Sequence, residues 1–258
     1  MTFVSKSGGC NVLSLFDGIS CGQVALERAG IKVNNYYASE IDKYAIQVTQ
    51  NNYPNTIQLG DINNINFKQF VGKIDIIIGG SPCQDLSIAN ANREGLKGKR
   101  SGLFFKYVEA LETIKPKYFL LENVASMKNS ERDIISKILG VQPIMINSAT
   151  ITAQNRRRYY WTNIPQIHAL KSKNIKIKDI AESNVEDKYY LSEKMINNFI
   201  NSKSQFKFKP CTLTDDKLPT LTARYFKMGK TDPYIQDEKG IRKLTPIECE
   251  RIQTVPEN

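Results

Sequence analysis

The sequence predicts an α/β protein built on a doubly wound, mostly parallel sheet, followed by a small irregular domain. Three observations carry this. Short apolar runs of strand length alternate with amphipathic stretches of helix length through the first half of the chain. Two of those runs end in residues with reactive side chains, as strands opening on one carboxyl edge would. From Thr162 to about Gly240 the periodicity fades, and lysine, asparagine and turn residues dominate.

Residues 11–15 read as the first strand, and the turn Phe16-Asp17-Gly18-Ile19-Ser20-Cys21-Gly22 leads into a helix through residues 24–28. Residues 36–39 form a second strand that Glu40 ends. Asp42 is placed to cap a helix over residues 44–48, which stops before Pro54. Residues 74–78 and 118–121 are further strands, joined by a helix over 103–114, and residues 144–147 are another. Near the end, Thr245-Pro246 followed by Glu248 is a good helix N-terminus. No internal repeat or low-complexity tract interrupts the chain.

Composition narrows the function classes. A chain of 258 residues can bury one large core and a smaller second domain. Its 36 Lys+Arg against 26 Asp+Glu give a net charge of +10, which suits a polyanionic partner. The five cysteines, Cys10, Cys21, Cys83, Cys211 and Cys249, have no C-x-x-C spacing. They point to neither a zinc site nor a disulfide framework, and to a reduced, cytoplasmic setting. No signal peptide and no run of about eighteen apolar residues argues for secretion or membrane insertion. With His168 as the only histidine, Ser-His-Asp hydrolysis and a His-rich metal centre are disfavoured, and no metal is expected.

Two stretches carry the chemistry. Gly79-Gly80-Ser81-Pro82-Cys83-Gln84 places a thiol directly after a buried apolar run, where Pro82 fixes φ and the glycines admit close approach to the main chain. The run at 118–121 ends in Glu122-Asn123-Val124, so a carboxylate leaves its strand much as the thiol does. In front of them, a glycine-bearing turn after the first strand and an acid ending the second is a common way for α/β folds to hold a nucleoside. The turn has no Lys-Ser/Thr, so it is not a phosphate-binding P-loop.

The Pro-Cys-Gln turn followed by Glu-Asn-Val resembles the DNA (cytosine-5) methyltransferases, and the blocks around it extend the resemblance from Asn11 to about Pro256 in family order. The resemblance implies an S-adenosylmethionine-dependent methyltransferase fold and base flipping in double-stranded DNA. Cys83 would be the nucleophile that adds to cytosine carbon 6. Glu122 would bond N3 of the ring, and Asn123 would hold the loop carrying Cys83. In Gln154-Asn155-Arg156-Arg157-Arg158-Tyr159, which fits the family's Gln-x-Arg-x-Arg, Arg158 would bond cytosine O2 and Arg156 would position the glutamate.

Cofactor residues follow by the same matching. Phe16, Asp17, Gly18 and Gly22 fall where the family carries Phe-x-Gly-x-Gly, with Asp17 replacing the commonest alanine. Glu40 would bind the ribose, Ile41 would pack on the adenine, and Asp61 would accept from its amino group, with Ile62, Pro82 and Leu103 completing the set. DNA contacts would come from Gln84 and Ser87, from the basic glycine-rich stretch with Arg93, Lys97, Lys99 and Arg100, and from Arg224. The implied domains are residues 1–162 for catalysis and cofactor, 163–241 for target recognition, and 242–258 as a support helix returning toward the catalytic domain.

The family continues past this last helix into a Gly-Asn-Gly/Ser segment that the sequence lacks. The expectation is either a truncated polypeptide or a second polypeptide supplying the segment, with weak or no activity from the isolated chain. Two alternatives stay open at this stage. One is methylation of cytosine in tRNA, although the Cys-Phe-Thr signature of the family's RNA branch is not found. The other is a non-catalytic DNA-binding or regulatory subunit.

Overall fold

The computed structural model describes residues 8–82, 102–165 and 170–257. They form two compact units, residues 1–146 with 157–167, and residues 147–156 with 168–258.

The first unit is built on a seven-stranded sheet in the order β3-β2-β1-β4-β5-β7-β6. Its strands are β1 (Cys10–Leu15), β2 (Val33–Ser39), β3 (Ile57–Gln58), β4 (Ile76–Gly79), β5 (Tyr118–Val124), β6 (Ile144–Asn147) and β7 (Arg157–Thr162). The strands from β3 to β5 run parallel, and β7 lies antiparallel to β5. Four helices accompany them: α1 (Cys21–Arg28), α2 (Lys43–Asn52), α3 (Leu103–Ile114) and α4 (Asn129–Leu139).

Burial explains why these runs are strands. Alternate residues of β1 feed two different cores, Leu13 and Leu15 on one face and Cys10 and Val12 on the other. A strand covered on both faces reads as a continuous apolar run rather than an alternation. Leu13, Leu15, Ile77, Leu121 and Trp161 meet Phe104, Tyr107 and Ala110 of α3 and Ile135 of α4. Across the sheet, Val12, Tyr36, Ala38 and Ile76 meet Leu26 of α1. Fully burying side chains of this size is worth roughly 1.5–3 kcal/mol each.

Chain order reverses between β1 and β4, so the turns leaving their carboxyl ends open a crevice, the usual ligand position in an open α/β sheet. Asp42 caps α2 as its sequence position predicts, accepting from the N–H groups of Tyr44 (2.9 Å) and Ala45 (3.0 Å). Helix α4 and strands β3 and β7 are not predicted by the sequence; β6 has its predicted bounds, β1, β2 and β5 are one to three residues longer than predicted, and β4 is shifted along the chain.

The second unit holds helices α5 (Ile177–Ile180), α6 (Glu193–Asn201) and α7 (Pro246–Gln253), and a three-stranded sheet of β8 (Cys211–Thr212), β9 (Tyr234–Gln236) and β10 (Ile241–Lys243). Its core gathers Ala153, Ile177, Ile180, Leu218, Ile235, Leu244 and Ile252, so the stretch 242–258 packs within this unit's own core. A buried ion pair fixes α7: Arg242 donates to both oxygens of Glu248 at 2.7 and 2.8 Å. Glu248 closes a capping box with Thr245. Among the described residues no helix is long and apolar enough to cross a membrane, and no cluster of metal-binding side chains occurs.

Candidate active site

The carboxyl end of β1 is held by two carboxylates. Phe16 (φ 60°), Gly18 (φ 62°) and Ser20 (φ 60°) all take left-handed backbone conformations, which cost a residue with a Cβ roughly 1–2 kcal/mol. The strain is offset by a network. Asp17 accepts from the Tyr36 hydroxyl at 2.7 Å and from Ser20 Oγ, and its own N–H donates to the Ser39 carbonyl at 3.1 Å. Glu40, at the end of β2, accepts from Gly18 N–H at 2.8 Å through Oε2, and from the N–H groups of Ile41 (2.7 Å) and Asp42 (2.9 Å) through Oε1.

Burial pushes the Asp17 carboxyl up, and nearby Glu40 adds to this, against hydrogen bonds from Ser14, Ser20 and Tyr36. Burial and the Asp17 charge hold the Tyr36 phenol well above its usual range. Asp17 therefore braces the turn from inside. Gly22 serves packing: a Cβ there would lie 2.3 Å from Ile78 Cδ1 and 2.7 Å from the Tyr36 hydroxyl.

Further along the edge, Ile41 is 75% exposed. Asp61 caps a short turn by accepting from Asn63 N–H and Asn63 Nδ2, both at 2.9 Å and both on Oδ1. Ser39 Oγ donates to the Gly60 carbonyl at 2.8 Å and ties this turn to β2. Ile62 is buried in the main core, and Leu103, the first residue of α3, packs against the same core.

On β5, Glu122 and Asn123 point to opposite faces, as neighbours on a strand must. Glu122 sits opposite Tyr160 in the β5–β7 register, which puts Arg158 on the same face two residues away. Arg158 Nε meets Glu122 Oε1 at 2.6 Å with both side chains largely buried, and its Nη1 donates to the Arg157 carbonyl at 2.9 Å. Asn123, 1% exposed, donates through Nδ2 to the Ser81 carbonyl (3.2 Å) and to Ser81 Oγ (3.1 Å). It thus holds the turn after β4 that carries the half-buried Pro82. A Cβ on Gly80 would lie 3.0 Å from Glu122 Oε2, so glycine leaves that carboxylate its place.

Arg156 belongs to the second unit, where its N–H donates to Asn147 Oδ1 (3.0 Å) and its Nη1 to the Leu221 carbonyl (3.3 Å). Arg224, also there, is exposed. Cys83, Gln84, Ser87, Arg93, Lys97, Lys99 and Arg100 lie outside the described residues. Tyr36 and Ser81 are site-building residues to which the sequence assigns no role of their own. Only the alternation of Tyr36 with Ala38 on one strand face hinted at the first of them.

This arrangement, a nucleoside-type edge beside a carboxylate–guanidinium pair on a mostly parallel seven-stranded sheet, is that of an S-adenosylmethionine-dependent methyltransferase fold. The chain belongs to the C-5 cytosine-specific DNA methylase family, whose model matches residues 10–258. It is 30% identical to the type II methyltransferase M1.ScrFI of Lactococcus lactis subsp. cremoris, over 98% of this chain and 71% of that protein. With the orphan methyltransferase M.SPRI of Bacillus phage SPR it shares 29% identity over 76% of this chain and 55% of the relative, little more than half its length. The Entamoeba histolytica methyltransferase EhMeth has the same fold, with a TM-score of 0.79 and 18% identity over 97% of this chain and 87% of that one.

Family and fold imply S-adenosylmethionine as cofactor, and the carboxyl edge fits it. At Gly18 and at Gly60 a Cβ would meet nothing within 4 Å, so a ligand can approach the main chain there. Backbone donors fill three of the roughly four acceptor positions of the Glu40 carboxylate, which leaves one on Oε2 for a hydroxyl. Exposed Ile41 offers an apolar face, and Asp61 Oδ2 lies outside its cap.

Proposed function

We propose that the protein methylates carbon 5 of cytosine in duplex DNA, with Cys83 as nucleophile and a base flipped out of the helix to reach it. Carbon 5 is a poor nucleophile in the intact ring. Addition of the Cys83 thiolate to carbon 6 moves electron density to carbon 5, with negative charge building on N3 and O2. Glu122 stabilises N3 by donating a carboxyl proton to it and Arg158 stabilises O2 by donating a guanidinium hydrogen bond, preorganised donors of the kind that supply much of the rate enhancement in many enzymes. Among the described residues, two of the three Arg158 guanidinium nitrogens are engaged, and Nη2 is the one we assign to O2. S-adenosylmethionine supplies an electrophilic methyl group when bound. Loss of the carbon 5 proton then expels the thiolate and restores the ring.

On the cofactor side, Glu40 takes a ribose hydroxyl, Ile41 packs on the adenine and Asp61 accepts from its amino group. The Phe16–Gly18 turn admits the nucleoside, with Asp17 holding it from behind. Asn123 sets the start of the Cys83 segment through Ser81.

The observation that carries this reading is the Glu122–Arg158 contact of 2.6 Å, beside the Ser81 segment that leads into Cys83. An assay with methyl-labelled S-adenosylmethionine and either duplex DNA or tRNA tests it. Label in duplex DNA, mapped to carbon 5 of cytosine by bisulfite sequencing, is the expected result. Label in tRNA alone, or in neither, overturns the reading.

A further inference from the structure

In the second unit, two consecutive aromatic residues are treated in opposite ways. Tyr225 is sunk into the unit: its hydroxyl donates to the Pro233 carbonyl at 2.8 Å and accepts from Leu244 N–H at 2.6 Å, and its ring packs against the core around Leu218 and Ile252. Phe226, the next residue of the turn Tyr225–Lys227, is 76% exposed, more than any other large apolar side chain among the described residues. The turn is braced on its far side, where Gly229 N–H donates to Asp232 Oδ2 at 2.6 Å and the Tyr234 hydroxyl to the Gly229 carbonyl at 3.1 Å. The phenyl ring is therefore held out by a fixed support.

A single exposed aromatic residue says little by itself. The charge around this one decides what it fits. Exposed Arg224 precedes it, the Lys227 ammonium lies 5.5 Å from its ring centroid, and Lys230 follows. Lys230 also borders an open groove of about 530 Å³ that carries Lys207 and Lys209. With Lys217, four lysines line that groove against three acids, of which Asp215 accepts from Thr212, Asp216 pairs with Lys176 at 2.9 Å and Asp232 holds the turn. An aromatic face flanked by cations, next to a groove with lysines, matches a nucleic acid, in which bases stack and phosphates take the cations.

We infer that Phe226 stacks on or wedges into a base step of duplex DNA, while Arg224 and Lys227 hold the flanking phosphates and the groove lysines follow the backbone. This rests on the proposed reading of the chain as a DNA methyltransferase. The test uses three forms of the full chain: the natural one, Phe226→Ala and Phe226→Trp. Phe226→Ala should weaken duplex binding by about tenfold or more, the scale of losing one base–aromatic stack, with S-adenosylmethionine affinity unchanged. Phe226→Trp should retain duplex binding. Because Trp161, the only natural tryptophan, is fully buried, the emission of the new indole can be read separately and should be quenched by duplex.

Binding by Phe226→Ala within twofold of the natural chain, or unchanged indole emission, overturns the inference while leaving the methyltransferase reading intact. An effect confined to a tRNA stem-loop replaces DNA with RNA as the occupant and overturns it too. A natural chain that neither binds nor methylates duplex fails the underlying reading, and the inference falls with it.

Discussion

Gly22→Ala should damage cofactor binding through the turn after β1. In an ordinary helix the change would stabilise by up to about 1 kcal/mol, because alanine loses less backbone freedom on folding. Here the new methyl would stand 2.3 Å from Ile78 Cδ1 and 2.7 Å from the Tyr36 hydroxyl. Ile78 is the flexible partner and can rotate. Tyr36 cannot yield without breaking its 2.7 Å bond to Asp17, the contact that braces the turn after β1. Overpacking costs about 1–3 kcal/mol, and a lost hydrogen bond to a charged group about 1.5–3 kcal/mol. The clash therefore outweighs the helix gain, for a net loss of about 1.5–5 kcal/mol. Urea unfolding reads the stability, and calorimetric titration with S-adenosylmethionine reads the turn, where affinity should fall by about tenfold or more. A variant within about 0.5 kcal/mol of the natural chain and with unchanged cofactor affinity would refute the packing argument.

Glu122→Gln and Arg158→Ala should each slow methyl transfer by about two to three orders of magnitude, the scale of deleting one transition-state donor, while cofactor affinity measured by titration stays constant. Arg242→Met should cost about 3–5 kcal/mol in urea unfolding, because it leaves the fully buried Glu248 carboxylate without its partner. The same network sets an acid limit. Burial pushes the Asp237 carboxyl up, but donors from Tyr190, Arg242, Gly240 and Lys239 outweigh it and hold it below its usual 3.8. A depressed carboxyl contributes stability that is present above its unfolded value and lost as pH falls through its folded one. Urea midpoints taken from about pH 6 down to about pH 3 should show this loss, and Arg242→Met should reduce it.

The parts of the fold legible in the sequence were those in which one local signal decides. Strands β1, β4 and β5 are apolar runs buried on both faces, helix α2 carries its cap in Asp42, and α7 carries Thr245 and Glu248 at capping-box spacing. Strand β7 was hidden because it opens with Arg157 and Arg158 and reads as a cationic patch. Only pairing with β5 makes it a strand, burying Trp161 on one face and bringing Arg158 to Glu122 on the other. Helix α4 begins with the polar run Asn129-Ser130-Glu131-Arg132-Asp133, and Ile134 and Ile138 remain exposed, so its apolar stripe is thin. In the second unit, strands of two or three residues are too short to show a period of two. At the site, residue types were readable but partners were not. The bond that Asp17, in the turn after β1, accepts from Tyr36, nineteen residues away on β2, is set by strand pairing and has no local signal.

Covalent catalysis by Cys83 can be read directly by trapping its adduct with the base. The protein is mixed with S-adenosylmethionine and duplex DNA containing 5-fluorocytosine, in which fluorine cannot leave as the carbon 5 proton does, and the products are separated under denaturing conditions. A stable protein–DNA adduct is expected, with the modified peptide carrying Cys83, and neither adduct nor turnover from Cys83→Ala. Near-normal methylation by Cys83→Ala, or an adduct mapped to another residue, would contradict it.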